Sequence, residues 1–514
     1  MSLNLADCVA LTAREHPDKT AIVFQNTRFS YGELGAAVRR VANILRSLGI
    51  APGDRVAIQL PNTPHFPMIY FGILHAGGVV VALNPMLPRR ELVHTLEDSG
   101  ARALFVFADL LGPADGVFKD RATVTPDLEH LVVVEPTMAP GQPDVGASFM
   151  SLMMAADDCC EMVATQPEDL AVLLYTAATD GHTRAAALTH FSLFQNAETI
   201  IFRALRYFPE DVFLAVLPLF HGFGQTTMMN APFMAGSSIV LMPRFDATAA
   251  LEALVSEKVT VTAVVPTMLQ FLLAANKKGD FDLSHMRCVV TGGSAMNLEL
   301  AQQFQDVFKV PVLEGYGLTE TSPVVSFNCD AETNRAGSVG LPIWGVEVGI
   351  LGDDDRLVGP TEVGEIVIRG HNVMRGYFND PQANARVFHN GWFRTGDYGY
   401  LDADGYIFIA GLKKDMILRA GMNVYAREVE LILEECSPVA AAAVVGVPDR
   451  TRGEEVRAFV QLRAGCEGDD RELLAYCREC LPSYKVPRKI EFVDELPRRA
   501  DGAPDKAALR SGCA

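Results

Sequence analysis

The sequence has no long apolar run: 49% of its 514 residues are hydrophobic, yet they fall in stretches of about nine or fewer, such as residues 212–220. Crossing a bilayer takes about 18 consecutive apolar residues, so no membrane span is expected. A basic excess is also lacking. Lys and Arg number 44 against 63 Asp and Glu, a net charge of −19. That balance disfavours a general nucleic-acid surface and gives no long-range attraction to anionic lipid, so anionic ligands must be captured locally. The opening Met1-Ser2-Leu3-Asn4-Leu5-Ala6-Asp7-Cys8 has neither the basic region nor the apolar core of a secretion signal, and a cytoplasmic location is expected. Ten cysteines in so long a chain are too sparse for a disulfide scaffold and read as free thiols. Cys477-Arg-Glu-Cys480 has C-x-x-C spacing, but it lies in a helical pattern without a second ligand pair and reads as structural, not as a zinc or redox site.

The length predicts roughly three structural units at about 150 residues each. From Ser30 the apolar positions Ala37, Val41, Ala42, Ile44 and Leu45 keep helical spacing up to Gly49. Short buried strands are then expected at 55–60, 79–83, 102–107 and 130–135, with helices at 64–75 and 89–99 between them. The rhythm returns through 212–241, 260–265 and 287–291, which predicts two α/β halves. After about Asn334, glycine-punctuated strands near 337–340, 345–351, 364–370 and 405–409 suggest a β-rich subdomain. A compact α+β unit follows. Its expected elements are helices near 426–435 and 471–480 and strands near 441–447 and 456–462, with the boundary at Gly411-Leu-Lys-Lys-Asp415. The division expected is 1–410 and 411–514.

Five segments carry chemistry. Leu173-Leu-Tyr175-Thr176-Ala177-Ala178-Thr179-Asp180-Gly181-His-Thr183-Arg184-Ala185-Ala-Ala-Leu188-Thr189-His190 resembles the Y-T-S-G-T-T-G-x-P-K-G-x-x-L-T-H signature of the acyl-adenylate-forming superfamily, which includes acyl-CoA synthetases, adenylation domains and luciferase. Four further segments match that superfamily in order. Leu219-Phe-His221-Gly-Phe-Gly224 resembles its aromatic segment at the acyl pocket; a lone histidine is ordinarily structural, but this placement puts His221 near the reacting carboxylate. Gly315-Tyr316-Gly317-Leu-Thr319-Glu320-Thr321 resembles the adenine and metal segment. The resemblance implies that small residues let a flat base approach, Tyr316 stacks on adenine, Thr319 bonds the α-phosphate, and Glu320 holds Mg²⁺ through a hard oxygen. Trp392-Phe-Arg394-Thr-Gly-Asp397 resembles the ribose segment, with Asp397 accepting from the ribose hydroxyls and Arg394 close to the nucleotide. Gly411-Leu412-Lys-Lys414 through Glu430 resembles the hinge and thioester segment, with Lys414 at the hinge and Ala420-Gly421 leaving room for pantetheine.

The resemblance implies a large N-terminal AMP- and acyl-binding domain and a mobile C-terminal domain. It also implies ATP or AMP, Mg²⁺ and coenzyme A as cofactors, a small-molecule carboxylic acid as substrate, and scope for a homodimer. Thr176, Thr179 and Asp180 fall at the nucleotide, and Arg184 takes the place of the loop lysine. The chain departs from the pattern at several of these positions. Ala177 and Ala178 replace Ser and Gly, and alanine restricts a loop built to present N–H groups. Asp180 replaces Thr; at about 4 Å and an effective dielectric of about 20, it opposes a phosphate charge by roughly 4 kcal/mol unless Mg²⁺ lies between them. Leu412 replaces the Arg of Gly-Arg, and Ala503 stands where L-P-x-T-x-x-G-K has the adenylation lysine; Lys506 follows beyond Pro504. Two lost charge contacts predict slow adenylation. Three readings follow: an acid–CoA ligase for a fatty or other apolar acid, a noncatalytic AMP-, acyl-adenylate- or acyl-CoA-binding homologue, and a protein retaining only the thioester step. The acyl-pocket candidates His221, Phe223, Met228, Met229, Val265, Pro266 and Gly293 read equally well as core. Asp211 and Glu314 are the acidic groups that could anchor a substrate amine. A carrier-protein pantetheine is an alternative acceptor to CoA.

Overall fold

The computed structural model describes all residues except 1, 137–144, 178–182, 277–280, 294–295, 297, 353, 413–415, 498–503 and 512–514. Local chemistry starts the elements as the sequence suggests. Ser30 caps the Tyr31–Ser47 helix: its side chain accepts from Glu33 N–H, while the Glu33 carboxylate accepts from Ser30 N–H. The helix stops before Gly49, whose φ of +74° suits a residue without a Cβ. Its buried face, including Leu34, Val38, Val41 and Leu45, packs against the wholly buried helix His65–His75.

The chain divides into two units. The larger comprises Met1–Pro85, Leu96–Tyr175 and Ala185–Ala410; the smaller comprises Met86–Thr95, Thr176–Arg184 and Gly411–Ala514. Among the described residues, the larger unit is organised around an eight-stranded sheet, a nine-stranded sheet and a smaller β-rich sheet. The eight-stranded sheet has parallel strands Val79–Ala82, Arg55–Gln59, Ala101–Phe107 and Leu170–Ala177 at its centre, fully covered, as apolar runs without alternation require. The nine-stranded sheet contains Val212–Ala215, Ser238–Leu241, Val261–Val264, Cys288–Thr291 and Val312–Gly317.

The two α/β halves are not contiguous in sequence. Thr20–Phe24 crosses over to pair in parallel with Ser238–Leu241. Gly376–Tyr377, far along in the β-rich region, returns to the first sheet beside Thr183–Thr189. One expected strand is absent: residues 337–340 form a turn in which Gly337 and Gly340 have φ of +81° and +85°, and pairing begins only at Leu341–Pro342. The β-rich sheet is otherwise as expected, built from Val346–Leu351, Gly364–Gly370, Phe388–His389, Trp392–Leu401 and Ile407–Leu412.

In the smaller unit, Met416–Arg419, Met422–Tyr425, Val439–Asp449, Gly453–Leu462 and Lys489–Val493 form a sheet covered by Ala426–Glu434 and Asp470–Cys480. Cys477 and Cys480 are buried in its apolar core. All nine described cysteines are free. Among the described residues, no helix is long and apolar enough to cross a membrane.

Candidate active site

Strand Val312–Gly317 delivers Tyr316, and a 3₁₀ turn at Thr319–Thr321 follows immediately. Tyr316 donates its hydroxyl to Asp397 Oδ2 at 2.6 Å, joining the two segments expected to hold adenine and ribose. Burial, reinforced by the Asp397 charge, pushes the Tyr316 phenol far above its ordinary range, so it stays protonated and remains a donor. Asp397 is buried on Trp392–Leu401, and its N–H donates to Thr395 Oγ1 at 3.0 Å. The Tyr316 ring itself is half-buried, leaving surface on which a base could stack.

The two glycines flanking Tyr316 have a reason other than the approach of a base. A Cβ at Gly315 would overlap the Phe327 ring, and one at Gly317 would overlap the Pro323 carbonyl. Both clashes come from the adjoining antiparallel segment, whose strand is Val324–Phe327. The chain's own backbone therefore requires these glycines.

His221 is the N-cap of the short helix Gly222–Gln225, its Nδ1 accepting from Phe223 N–H at 3.3 Å. That bond places the proton of the neutral imidazole on Nε2, a donor position. The ring has solvent-accessible surface yet is walled by enough protein that lost solvation holds its pKa below the ordinary histidine range. A Cβ on Gly222 would lie 3.4 Å from Leu174 and 3.5 Å from Pro323, so the His221 segment runs between the strand leading to the loop and the Glu320 turn. Thr226 Oγ1 also donates to Ser322 O at 3.1 Å. Asn62, for which the sequence gave only the turn signal Leu60-Pro61-Asn62-Thr63, braces this segment: Nδ2 donates to the Ala215 and Leu217 carbonyls, and Oδ1 accepts from Leu219 N–H.

The frame of the loop signature does structural work. Tyr175 donates to Asp98 Oδ2 at 2.7 Å, Thr189 caps the helix His190–Thr199 in a reciprocal pair with Ser192, and buried His190 accepts from Leu5 N–H at 3.0 Å through Nδ1. Thr176 is half-buried on Leu170–Ala177, and Arg184 is half-buried on Thr183–Thr189. Ala178, Thr179, Asp180, Lys414 and Ala503 lie outside the described residues, as do the side chains of Ala177 and Leu412. Ala420 and Gly421 form a two-residue turn between Met416–Arg419 and Met422–Tyr425, both in the left-handed region at φ +50° and +80°.

Arg394 is held in the protein: its Nε and Nη2 donate to Glu365 Oε2 at 3.0 and 2.6 Å, and its Nη1 donates to Asp355 Oδ1 at 3.1 Å. Asp211 is likewise engaged, accepting from Arg287, Thr260 Oγ1 and Phe208 N–H, which makes it a structural carboxylate. Glu314 accepts from Met296 N–H at 3.1 Å and lines a cavity of about 610 Å³ with Asp306, Asn334 and Arg335. Burial raises its pKa to about 7, favouring the neutral form that suits an amine anchor poorly. Met228 and Met229 are fully buried in the main core.

Residues 9–378 match the AMP-binding enzyme family, and residues 428–503 match the AMP-binding enzyme C-terminal domain. The chain belongs to the acyl-adenylate-forming, AMP-binding enzymes. It is similar to the long-chain-fatty-acid–CoA ligase of Bacillus subtilis (strain 168), at 35% identity over 512 residues covering 96% of this chain and 91% of the relative. It is also similar to a feruloyl-CoA synthase of an Amycolatopsis species, at 36% identity over 499 residues covering 97% and 96%. Among solved structures, a double mutant of o-succinylbenzoate CoA synthetase from Bacillus subtilis, bound with a product analogue, superposes with a TM-score of 0.86 at 28% identity, covering 98% of each chain. For an AMP-binding enzyme, the Tyr316–Asp397 pair and the adjacent Thr319–Glu320 turn form the part of the site most completely assembled here.

Proposed function

We propose that this protein is an ATP-dependent, AMP-forming acid–CoA ligase acting on a fatty or other apolar carboxylic acid. The observation that carries the reading is the 2.6 Å bond joining Tyr316 to Asp397, with Thr319 and Glu320 on the turn just beyond the same strand. In this reading Tyr316 stacks on adenine and Asp397 accepts from the ribose hydroxyls. Thr319 bonds the α-phosphate, and Arg184 supplies positive charge at the loop. His221, neutral at pH 7 with Nε2–H available, donates to the acid's carboxylate. The carboxylate oxygen attacks the α-phosphorus, the bond to pyrophosphate breaks, and the thiol of CoA then displaces AMP from the acyl-adenylate.

Glu320 fits Mg²⁺. It is a buried carboxylate, a hard oxygen donor, in the turn next to the nucleotide segment, and such a site takes Mg²⁺ through one or two carboxylates plus substrate phosphates. When bound, the ion offsets charge on the phosphates. Residues 1–410 would carry these groups and 411–514 would form the mobile domain, with Lys414 as hinge and the Ala420–Gly421 turn beside the pantetheine path. The two relatives and the structural neighbour reported above are named as ligases or synthases, and the binding-only and thioester-only readings gain no support from them.

Calorimetric titration with Mg·ATP and then AMP, followed by a screen of carboxylic acids for pyrophosphate release, tests the proposal. Acid-dependent pyrophosphate release with acyl-CoA formation is expected. AMP binding without any release would point to the binding-only reading, and thioester formation only from supplied acyl-AMP would point to the partial reaction.

A further inference from the structure

Glu320 is held from two directions by one short segment. Its backbone carbonyl accepts from Met374 N–H at 2.8 Å, and its carboxylate Oε1 accepts from the Tyr377 hydroxyl at 2.9 Å. The same segment is stitched to the strand that leaves the loop. Gly376 and Tyr377 pair with Ala187 and Ala186, Arg375 N–H donates to Ala187 O at 2.9 Å, and Phe378 N–H donates to Ala185 O at 2.8 Å.

The main chain of Tyr377 is gripped in turn by one amide. Asn384 Oδ1 accepts from Tyr377 N–H at 2.7 Å, and Asn384 Nδ2 donates to Tyr377 O at 2.9 Å. Asn384 stands on the helix Pro381–Val387, whose start is fixed by Asp380 accepting from Ala383 N–H at 2.8 Å. The grip depends on the neighbouring residue: Gly376 has φ of +148°, and a Cβ there would come within 2.9 Å of Asn384 Oδ1. Tyr377 is buried, so its hydroxyl needs an acceptor, and it is given a carboxylate, the strongest kind.

We propose that Tyr377, clamped by Asn384, is a positioning residue that fixes the Glu320 carboxylate relative to the strand leaving the phosphate loop and thereby sets the affinity for the metal–nucleotide complex. This rests on the reading of Glu320 as the metal carboxylate. A carboxylate free to rotate samples orientations that do not present an oxygen to the ion, whereas one anchored at Oε1 presents Oε2 in a single direction. Groups that orient metal ligands in this way typically cost about 10- to 100-fold in metal affinity when removed.

The test uses the full-length protein with Tyr377→Phe, which removes only the hydroxyl, and Asn384→Ala, which leaves the hydroxyl and releases the clamp. Mn²⁺ binding in the presence of ATP is followed by the paramagnetic resonance signal of the free ion, and metal-free AMP binding is followed by calorimetry. Both variants are expected to bind AMP within about twofold of wild type and to lose about tenfold in Mn²⁺ affinity in the ATP complex. Glu320→Gln sets the scale for complete loss. Unchanged Mn²⁺ affinity in Tyr377→Phe with AMP binding intact overturns the proposal and leaves the nucleotide site standing. Equal losses of AMP and Mn²⁺ in both variants mean a general structural role and also overturn it. A wild-type protein that takes up neither AMP nor Mn·ATP overturns the nucleotide-site reading itself, and this proposal with it.

Discussion

Replacing Asp397 with Asn isolates one charge while conserving shape. The Asn Oδ1 can still accept from the Tyr316 hydroxyl, now 2.6 Å from Asp397 Oδ2, so the buried phenol keeps a partner and the fold is preserved. The remaining amide nitrogen is a donor and faces the ribose with the wrong polarity. If Asp397 accepts from both ribose hydroxyls, two charge-assisted hydrogen bonds are lost, each worth at least about 1.5 kcal/mol. The expected loss is about 3 kcal/mol, or about 150-fold in AMP affinity. The decisive comparison is with 2′,3′-dideoxy-AMP, which lacks both hydroxyls and should bind the wild type and Asp397→Asn almost equally. Calorimetric titration of both proteins with both ligands closes the cycle. Equal losses for the two ligands, or no loss for AMP, would refute the assignment of Asp397 to the ribose and reduce the Tyr316–Asp397 pair to a structural bond.

Restoring the family residues with Asp180→Thr, Leu412→Arg and Ala503→Lys together should raise acid-dependent pyrophosphate release, with each recovered charge contact worth up to about 10²- to 10³-fold; no gain would show that these positions do not limit adenylation. Burial lowers the His190 pKa to about 4, below its unfolded value near 6.5, so the unfolded chain binds the extra proton. Its contribution is present above about pH 6.5 and is lost on acidification towards pH 4, roughly 2 kcal/mol by pH 5, and His190→Asn should flatten that limb of the urea-midpoint-versus-pH curve. Ala420 pays for a left-handed φ of +50° in its turn, so Ala420→Asn should raise the urea midpoint by about 0.5–1 kcal/mol in stability; a lower midpoint would mean that the side chain is excluded there for another reason.

What the sequence made legible was local. Apolar runs located the parallel strands, Ser30 with Glu33 marked a helix start, and the ordered motifs brought Tyr316, Glu320 and Asp397 to notice before any fold was known. What it concealed depended on partners distant along the chain. Nothing near Gly315 or Gly317 shows that Phe327 and Pro323 will press against them, so their glycines invited a ligand explanation. Tyr377 and Asn384 sit in a region read only as punctuated strands, because the two-residue pairing that brings them to Glu320 is too short to leave a periodic signal. Arg394 and Asp211 carry charges that read as functional until Glu365 and Arg287 are seen to engage them.

The crossing of Thr20–Phe24 into the nine-stranded sheet has a consequence for how the molecule is made. Its parallel neighbour, Ser238–Leu241, leaves the ribosome about two hundred residues later, which at roughly 10 residues per second is about 20 s of synthesis. Throughout that interval the nascent chain carries an apolar strand, Thr20-Ala-Ile-Val-Phe24, whose sheet does not yet exist. The N-terminal segment is thus the first part synthesised and among the last able to reach its final place, and holding it soluble in the meantime falls to the translating cell.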